Sequence, residues 1–385
     1  MTDVLSALES IYRHTGPVSG METVSTRSSP GRILGETIHA REDFPAFDNS
    51  AMDGYVFSKK DLDEGRRDFE IAFEIRPEDE NLPVLRPGTC AYITTGSAVP
   101  QGGDTVIPVE LIRKTGDRVY AEEQPSRNPI RKKGEGYKKG DILLESGKRL
   151  LPADIGVLHS NGQTAVRVLA QTRIALQVTG NELDETRNTN GPVLRHLLNG
   201  FDSVSVDEFP VLKDDETEMK ERFTRLLDDG YDLVVTTGGI SAGEYDLVIP
   251  VLASLGTRFH VRKVSQKPGK PFSFGTLGAT AFVCLPGNPV SAFFCSVLYV
   301  NRIIQTRNHQ KPVECRAMIT NGYTTRKMDE FAPGRTGHNG AVRQVTTVAA
   351  IQSHLLHILS NSDCFVRFEP GKTYRKGDEV TIFPY

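Results

Sequence analysis

Four polar segments of this 385-residue chain carry residue types able to do chemistry. In FPAFDNSAMDGYVF (44–57), Asp48, Asn49, Ser50 and Asp53 are packed into one short stretch. Two carboxylates, an amide and a hydroxyl can ligate a hard cation or hydrogen-bond a polar ligand. Taken alone, an Asx-rich turn is the simpler reading. In VTGNEL (178–183), Glu182 directly follows an apolar run and would project where a carboxylate can hold Mg²⁺ or a substrate amine. Alone, that too reads first as a polar capping turn.

The third segment, TTGGISAGEYD (236–246), is more pointed. An apolar strand running into Gly238 and Gly239, with Ser241 close behind, suits a phosphate cradle of backbone N–H groups. No G-K-[ST] follows the glycines and no G-x-G-x-x-G is present, so neither common nucleotide fingerprint applies. Glu244 and Asp246 beside a phosphate make sense when a divalent cation or a sugar hydroxyl lies between. The fourth segment begins at Lys263 and gathers Lys267 and Lys270 into a basic loop stiffened by Pro268 and Pro271. Such a loop suits an oxyanion, although charge runs are usually solvated. In LPGNPVSAFF (285–294), Asn288 is placed to cap a helix that Pro289 starts and that runs from Val290 to about Ile304, a second anion site at its N-terminus.

These segments need elements to hold them. The first fifteen residues place Val4, Leu8, Ile11 and Tyr12 on one helical face. Residues 31–40 read as a helix or a helix leading into a strand. Over 44–141, short β-like runs such as 90–95 and 104–109 alternate with Gly/Pro turns, predicting an all-β insert. RLLPADIGVLHSNG (149–162) predicts a helix that returns to the module of the N-terminal helix. From about 169 the pattern becomes strand (173–180), helix (190–200), strand (203–212), an acid-started helix placing Met219, Phe223 and Leu226 or Leu227 on one face, and strand (231–239). Alternation of this kind predicts βαβ units and a mostly parallel sheet, whose ligands sit at the C-terminal strand ends. The loops at 179–183, 237–246 and 284–289 should therefore lie together. Beyond about 306, short strands predict a small β domain.

The expected architecture is multidomain α/β plus β. It comprises a discontinuous N-terminal helical/mixed domain (1–43 with 142–168), an inserted β-rich domain (44–141), a central α/β domain (169–305) and a C-terminal β domain (306–385). A chain this long exceeds one simple core. A net charge of −3 gives no global pull toward nucleic acid or an anionic membrane. Five scattered cysteines without a C-x-x-C pair argue against a disulfide framework and a structural zinc. The N-terminus is no secretory signal, and the apolar stretch from Ala281 to Val300 is broken by Pro286, Gly287 and Pro289. The cytoplasm is the expected location.

Six motifs, DNSAMDGY, ITTGSAVPQGGDTVIPVE, GDILLESGKRLLPADIGVLHSNG, TTGGISAGEYD, KPGKPFSFG and LPGNPVSA, occur in the order seen in molybdopterin molybdenumtransferases, a family that includes the catalytic domain of gephyrin. The resemblance covers residues 1–310 and, more faintly, the rest. It implies insertion of molybdenum from molybdate into adenylated molybdopterin with Mg²⁺-dependent release of AMP, in a homodimer whose site is shared between subunits. A molybdopterin adenylyltransferase is the implied supplier of substrate. By motif, Asp53, Glu182 and Asp246 are implied as catalytic and Mg²⁺-binding, and Lys263 and Lys267 as partners of phosphate or molybdate. Thr95, Asp214, Gly238, Gly239, Ser241, Asn288 and Ser353 are implied as cofactor-binding, with Pro286 and Pro289 marking a molybdate pocket. This sequence departs from the family at Gly136, where an acid is usual, at Asn181 for the usual aspartate, and at Ala332-Pro333, where an arginine is expected and Arg335 lies nearby. Ser353 matches its motif only at the serine. Two other readings are adenylation of molybdopterin by ATP, which the β insert argues against, and a weakly active paralogue acting as a molybdopterin-binding or scaffold protein.

Overall fold

The computed structural model describes all residues except Gln124, Glu185 and the stretches 241–245, 311–313 and 349–355. Ser241, Glu244 and Ser353 therefore lie outside the described residues. The chain forms two compact units. The larger holds Met1–Gly35, Gly147–Pro152 and Ala165–Tyr385; the smaller holds Glu36–Ser146 and Ala153–Thr164.

Helix α1 (Val4–His14) belongs to the larger unit and is capped by the Asp3 carboxylate, which accepts from the Ser6 N–H at 2.9 Å. Its buried face is Val4, Ala7 and Ile11, with Leu8 packed alongside, whereas Tyr12, expected on that face, stands at the surface. Residues 31–40 form no helix. Ile33 and Leu34 make isolated bridges to Arg149 and Val168, and Ile38–His39 pairs with Ile142–Leu144. Extended neighbours on each side take up their backbone groups, which outweighs local helical pattern.

In the smaller unit, β1 (Gly54–Phe57), β2 (Asp68–Ile75), β3 (Thr89–Ile93), β4 (Thr105–Pro108), β5 (Ile112–Thr115) and β6 (Arg118–Ala121) form one sheet in the order β4-β1-β3-β2-β6-β5. Helix α2 (Pro152–Ser160) falls largely in this unit.

In the larger unit, β7 (Thr172–Thr179), β8 (Val204–Leu212), β9 (Leu233–Thr237), β10 (Arg258–Arg262), β11 (Ser273–Leu277) and β12 (Thr280–Leu285) order as β8-β7-β9-β12-β11-β10. The first four are mutually parallel, and β11 and β10 add antiparallel. Strand alternation sorts the two faces: Ile174, Leu176, Leu233, Val235, Val283 and Leu285 pack with α1, while Ala175, Val234, Phe282 and Cys284 pack with helices over Glu216–Asp228 and Val248–Ser254. A sheet covered on both faces leaves its strand ends as the place for a ligand. The helix expected from Asn288 onward runs from Pro289 to Arg307, but not uniformly: a π-helical stretch, Ser296–Val300, separates Pro289–Cys295 from Asn301–Arg307.

Five C-terminal strands, β13 (Cys315–Ile319), β14 (Asp329–Asn339), β15 (Val342–Thr347), β16 (Cys364–Phe368) and β17 (Glu379–Pro384), pair in the cycle β14-β15-β13-β17-β16-β14 and so close a small barrel. Its interior holds Ala332, Val345, Val366, Phe368, Val380 and Ile382. Closure removes free edges. Among the described residues no helix is long and apolar enough to cross a membrane.

Candidate functional site

The three expected loops meet. A cleft of about 590 Å³ lies at the C-terminal ends of β7, β9 and β12. Its described lining runs from Thr179, Gly180 and Glu182 in the first loop through Thr237, Gly238, Gly239 and Asp246 in the second to Pro286, Gly287, Asn288 and Pro289 in the third. Asp214 follows β8 and also lines it.

The glycines are sterically required. Gly238 has φ +99° and Gly239 φ +61°. A Cβ on Gly238 would stand 2.4 Å from the Thr179 carbonyl oxygen, and one on Gly239 would stand 2.8 Å from Val248 Cγ2. Gly287 packs on the same turn, where a Cβ would lie 3.4 Å from Gly238 Cα. Backbone is thus brought to the cleft surface, as an oxyanion site needs.

Acid lines the same cleft. Asp214 and Asn181 hold each other reciprocally: the Asn181 N–H donates to Asp214 Oδ2 at 3.1 Å, and the Asp214 N–H donates to Asn181 Oδ1 at 3.0 Å. Lys213 Nζ donates to the carbonyls of Asn181 and Leu183, both at 3.1 Å. Burial pushes the Asp214 carboxyl above its ordinary value, and Glu182 and Asp246 push the same way against the lowering by the Asn181 N–H. Among the described residues, however, no three histidine, cysteine, aspartate or glutamate side chains converge on one point.

Several lining residues were not legible from residue type. The Asn190 amide donates to Thr237 Oγ1 at 2.9 Å and to the Gly287 carbonyl at 2.8 Å. Thr237 Oγ1 donates in turn to the Pro286 carbonyl at 3.0 Å. Thr179 is buried and its hydroxyl has no hydrogen-bond partner among the described residues, and Arg187 brings a cation to the rim. Asn288 does occupy the N-cap position, yet its side chain makes no capping bond and its buried Oδ1 has no partner among the described residues.

The basic loop is placed differently. Lys263, Lys267 and Lys270 are exposed, and of the KPGKP loop only Pro271 is among the cleft's described lining residues. Gln266–Lys267 pairs with the start of β14. Asp53 and Thr95 belong to the smaller unit, where Asp53 Oδ1 accepts from both the Thr95 N–H and its hydroxyl at 2.7 Å. That hydroxyl above all holds the Asp53 carboxyl below its ordinary value. Nearby, Asp48 accepts from Lys132 Nζ at 2.8 Å, and Ser50 Oγ donates to the Met52 carbonyl at 2.5 Å. All five cysteines are free; burial raises the Cys90, Cys284 and Cys364 thiols to about 12, and none lines the cleft.

The fold and cleft define a multidomain protein whose α/β domain carries a ligand cleft at its strand ends. Residues 2–162 match the MoeA N-terminal region (domain I and II), 175–306 a probable molybdopterin binding domain, and 318–385 the MoeA C-terminal region (domain IV). The molybdopterin molybdenumtransferase of Haemophilus influenzae is 32% identical over 387 residues, covering 94% of each chain. That of Synechocystis is 30% identical over 405 residues, covering 100% of this chain and 99% of its own. The crystal structure of the molybdopterin biosynthesis moeA protein from Pyrococcus horikoshii OT3 superposes over all of both chains with a TM-score of 0.82 at 24% identity, which shows the shared fold. The chain belongs to the molybdopterin molybdenumtransferase family. It is an enzyme of molybdenum cofactor biosynthesis.

Proposed function

We propose that this enzyme performs the last step of that synthesis: it inserts molybdenum from molybdate into adenylated molybdopterin and releases AMP in a Mg²⁺-dependent reaction. The observation that carries this reading is one cleft lined both by a glycine-built backbone surface and by Glu182, Asp214 and Asp246. Cleaving a phosphoric anhydride calls for charge neutralisation and positioning more than for a protein nucleophile. The inert thiols are consistent with that.

The acids fit Mg²⁺ in a specific way. This ion commonly takes one or two carboxylates and completes its shell with water and substrate phosphate, so three converging side chains are not needed. When bound, it would neutralise phosphate charge. Glu182 and Asp246 would hold it, with Asp53 added across a homodimer; Asp214, whose carboxyl is raised first by burial and then by Glu182 and Asp246, lies beside them. Gly238, Gly239 and Ser241 would cradle phosphate, with Thr95, Asp214, Asn288 and Ser353 orienting the nucleotide and pterin. Pro286 and Pro289 would wall the molybdate pocket, and Lys263 and Lys267 would meet an oxyanion. A cytoplasmic location and delivery of substrate by an adenylyltransferase complete the proposal.

The test is single-turnover AMP release from adenylated molybdopterin, with and without molybdate and Mg²⁺, for wild type and Asp246→Ala. We expect release that needs both ions and falls by about 10²-fold or more in the variant, the loss usual for removing one preorganised charge-stabilising group. Wild-type protein that binds the nucleotide yet never releases AMP would sink the insertase reading in favour of a binding or scaffold role.

A further inference from the structure

We infer that Asn190 is a positioning residue of the cleft, and that its side-chain amide sets the spacing between the Gly238-Gly239 turn and the Pro286-Gly287 turn. The inference rests on the proposed reading of the cleft as the nucleotide and molybdate site. Asn190 is the first residue of the helix Asn190–Leu198, is 9% exposed and lines the cleft. Both amide hydrogens are committed, one to Thr237 Oγ1 and one to the Gly287 carbonyl. Thr237 Oγ1 passes its own hydrogen to the Pro286 carbonyl. One side chain therefore ties a helix start, the end of β9 and the turn after β12.

The tie has consequences because the backbone bond beside it, from the Gly238 N–H to the Leu285 carbonyl at 3.2 Å, holds the strand end and not the 286–287 turn. A Cβ on Gly287 would lie only 3.4 Å from Gly238 Cα, so the two turns run close together and a shift of the 286–287 turn changes the width of the cradle. Removing the amide leaves a buried acceptor, Thr237 Oγ1, and a part-buried one, the Gly287 carbonyl, short of a donor. The walls so loosened contact substrate in ground and transition states alike. The loss should therefore appear in KM before kcat.

The experiment compares Asn190→Ala, Thr237→Val, Thr237→Ser and the Asn190→Ala/Thr237→Val double variant in steady-state AMP release. Amide hydrogen exchange over residues 284–289 is followed in the same proteins without substrate. We expect Asn190→Ala and Thr237→Val each to raise KM for adenylated molybdopterin by about tenfold with kcat within about threefold, the size of one buried hydrogen bond. The double variant should be no worse than the poorer single one, since both cut the same chain of bonds. Thr237→Ser, which keeps the hydroxyl, should restore KM and leave exchange slow, whereas the other variants speed it. Additive losses, a fall in kcat at constant KM, or a serine variant as impaired as the valine one would overturn the assignment. Should wild type release no AMP at all, the functional reading fails instead, and unchanged exchange in Asn190→Ala would then refute the clamp independently.

Discussion

The tripeptide Thr-Thr-Gly occurs twice, at 94–96 just after β3 and at 236–238 across the end of β9. Both copies leave an apolar strand, and both end in a glycine of positive φ, +87° at Gly96 and +99° at Gly238. Their surroundings differ. At Gly96 a Cβ would meet nothing within 4 Å, whereas at Gly238 it would collide with the Thr179 carbonyl. The middle threonine of the first copy spends its hydroxyl on a single carboxylate, Asp53. That of the second relays a bond from Asn190 to Pro286. Local sequence fixes the turn, and neighbours from distant parts of the chain decide whether it is an open surface loop or a wall of a cleft.

The widest separation should come from alanine at the two glycines. Gly96→Ala meets only the left-handed backbone penalty, about 1 kcal/mol. Gly238→Ala adds a clash with backbone that cannot rotate away, and we expect a loss of about 3 kcal/mol or more. Urea unfolding of both variants decides it. Equal losses would mean that the crowding at Gly238 relaxes freely and that the two turns do not differ in energy.

The acids of the two regions differ in the same sense. Asp53 and Asp48 are held below their ordinary values by donors of their own unit, chiefly the Thr95 hydroxyl and Lys132. Asp214 is raised, first by burial and then by Glu182 and Asp246. A carboxyl raised on folding binds its proton more tightly folded than unfolded. Its contribution is therefore favourable at low pH and is lost as pH rises through the folded value. Asp214→Asn should accordingly stabilise the protein at pH 7 and lose that advantage near pH 3.5, as read from urea midpoints at the two pH values. Mg²⁺ should stabilise wild type more than the variant at pH 7 if the cleft takes the ion. An equal shift at both pH values would show that Asp214 is not under charge strain.

How much of this was legible follows from the same contrast. The strand-end loops could be read because β7, β9 and β12 are apolar runs with glycine exits, a pattern carried by adjacent residues. The role of Asn190 could not be, since its partners lie 47 and 97 residues away. Barrel closure was hidden likewise, because it depends on β14 pairing with both β15 and β16. Even Gly136, a departure from its family, has a local reason visible only in three dimensions. Its N–H donates to the Phe44 carbonyl at 3.0 Å, and a Cβ there would stand 3.0 Å from that oxygen and 3.2 Å from the ring. An acid at this position would need Phe44 to move.

The smallest effect concerns the first Thr-Thr-Gly copy. Thr95→Val removes the hydroxyl that donates to Asp53 Oδ1 but leaves the backbone N–H in place. The Asp53 carboxyl should then move up toward its ordinary value without reaching it, while Thr95→Ser leaves it low. A carboxyl depressed on folding contributes stability above its unfolded value and loses it as pH falls through the folded one. The variant should thus differ from wild type at neutral pH and converge with it in strong acid. A carboxyl-carbon NMR titration of Asp53 in the three proteins reads the shift directly. An Asp53 that titrates identically in the valine variant would mean that the N–H alone holds it, and the hydroxyls of the two copies would no longer be contrasted as one carboxylate's donor and one relay.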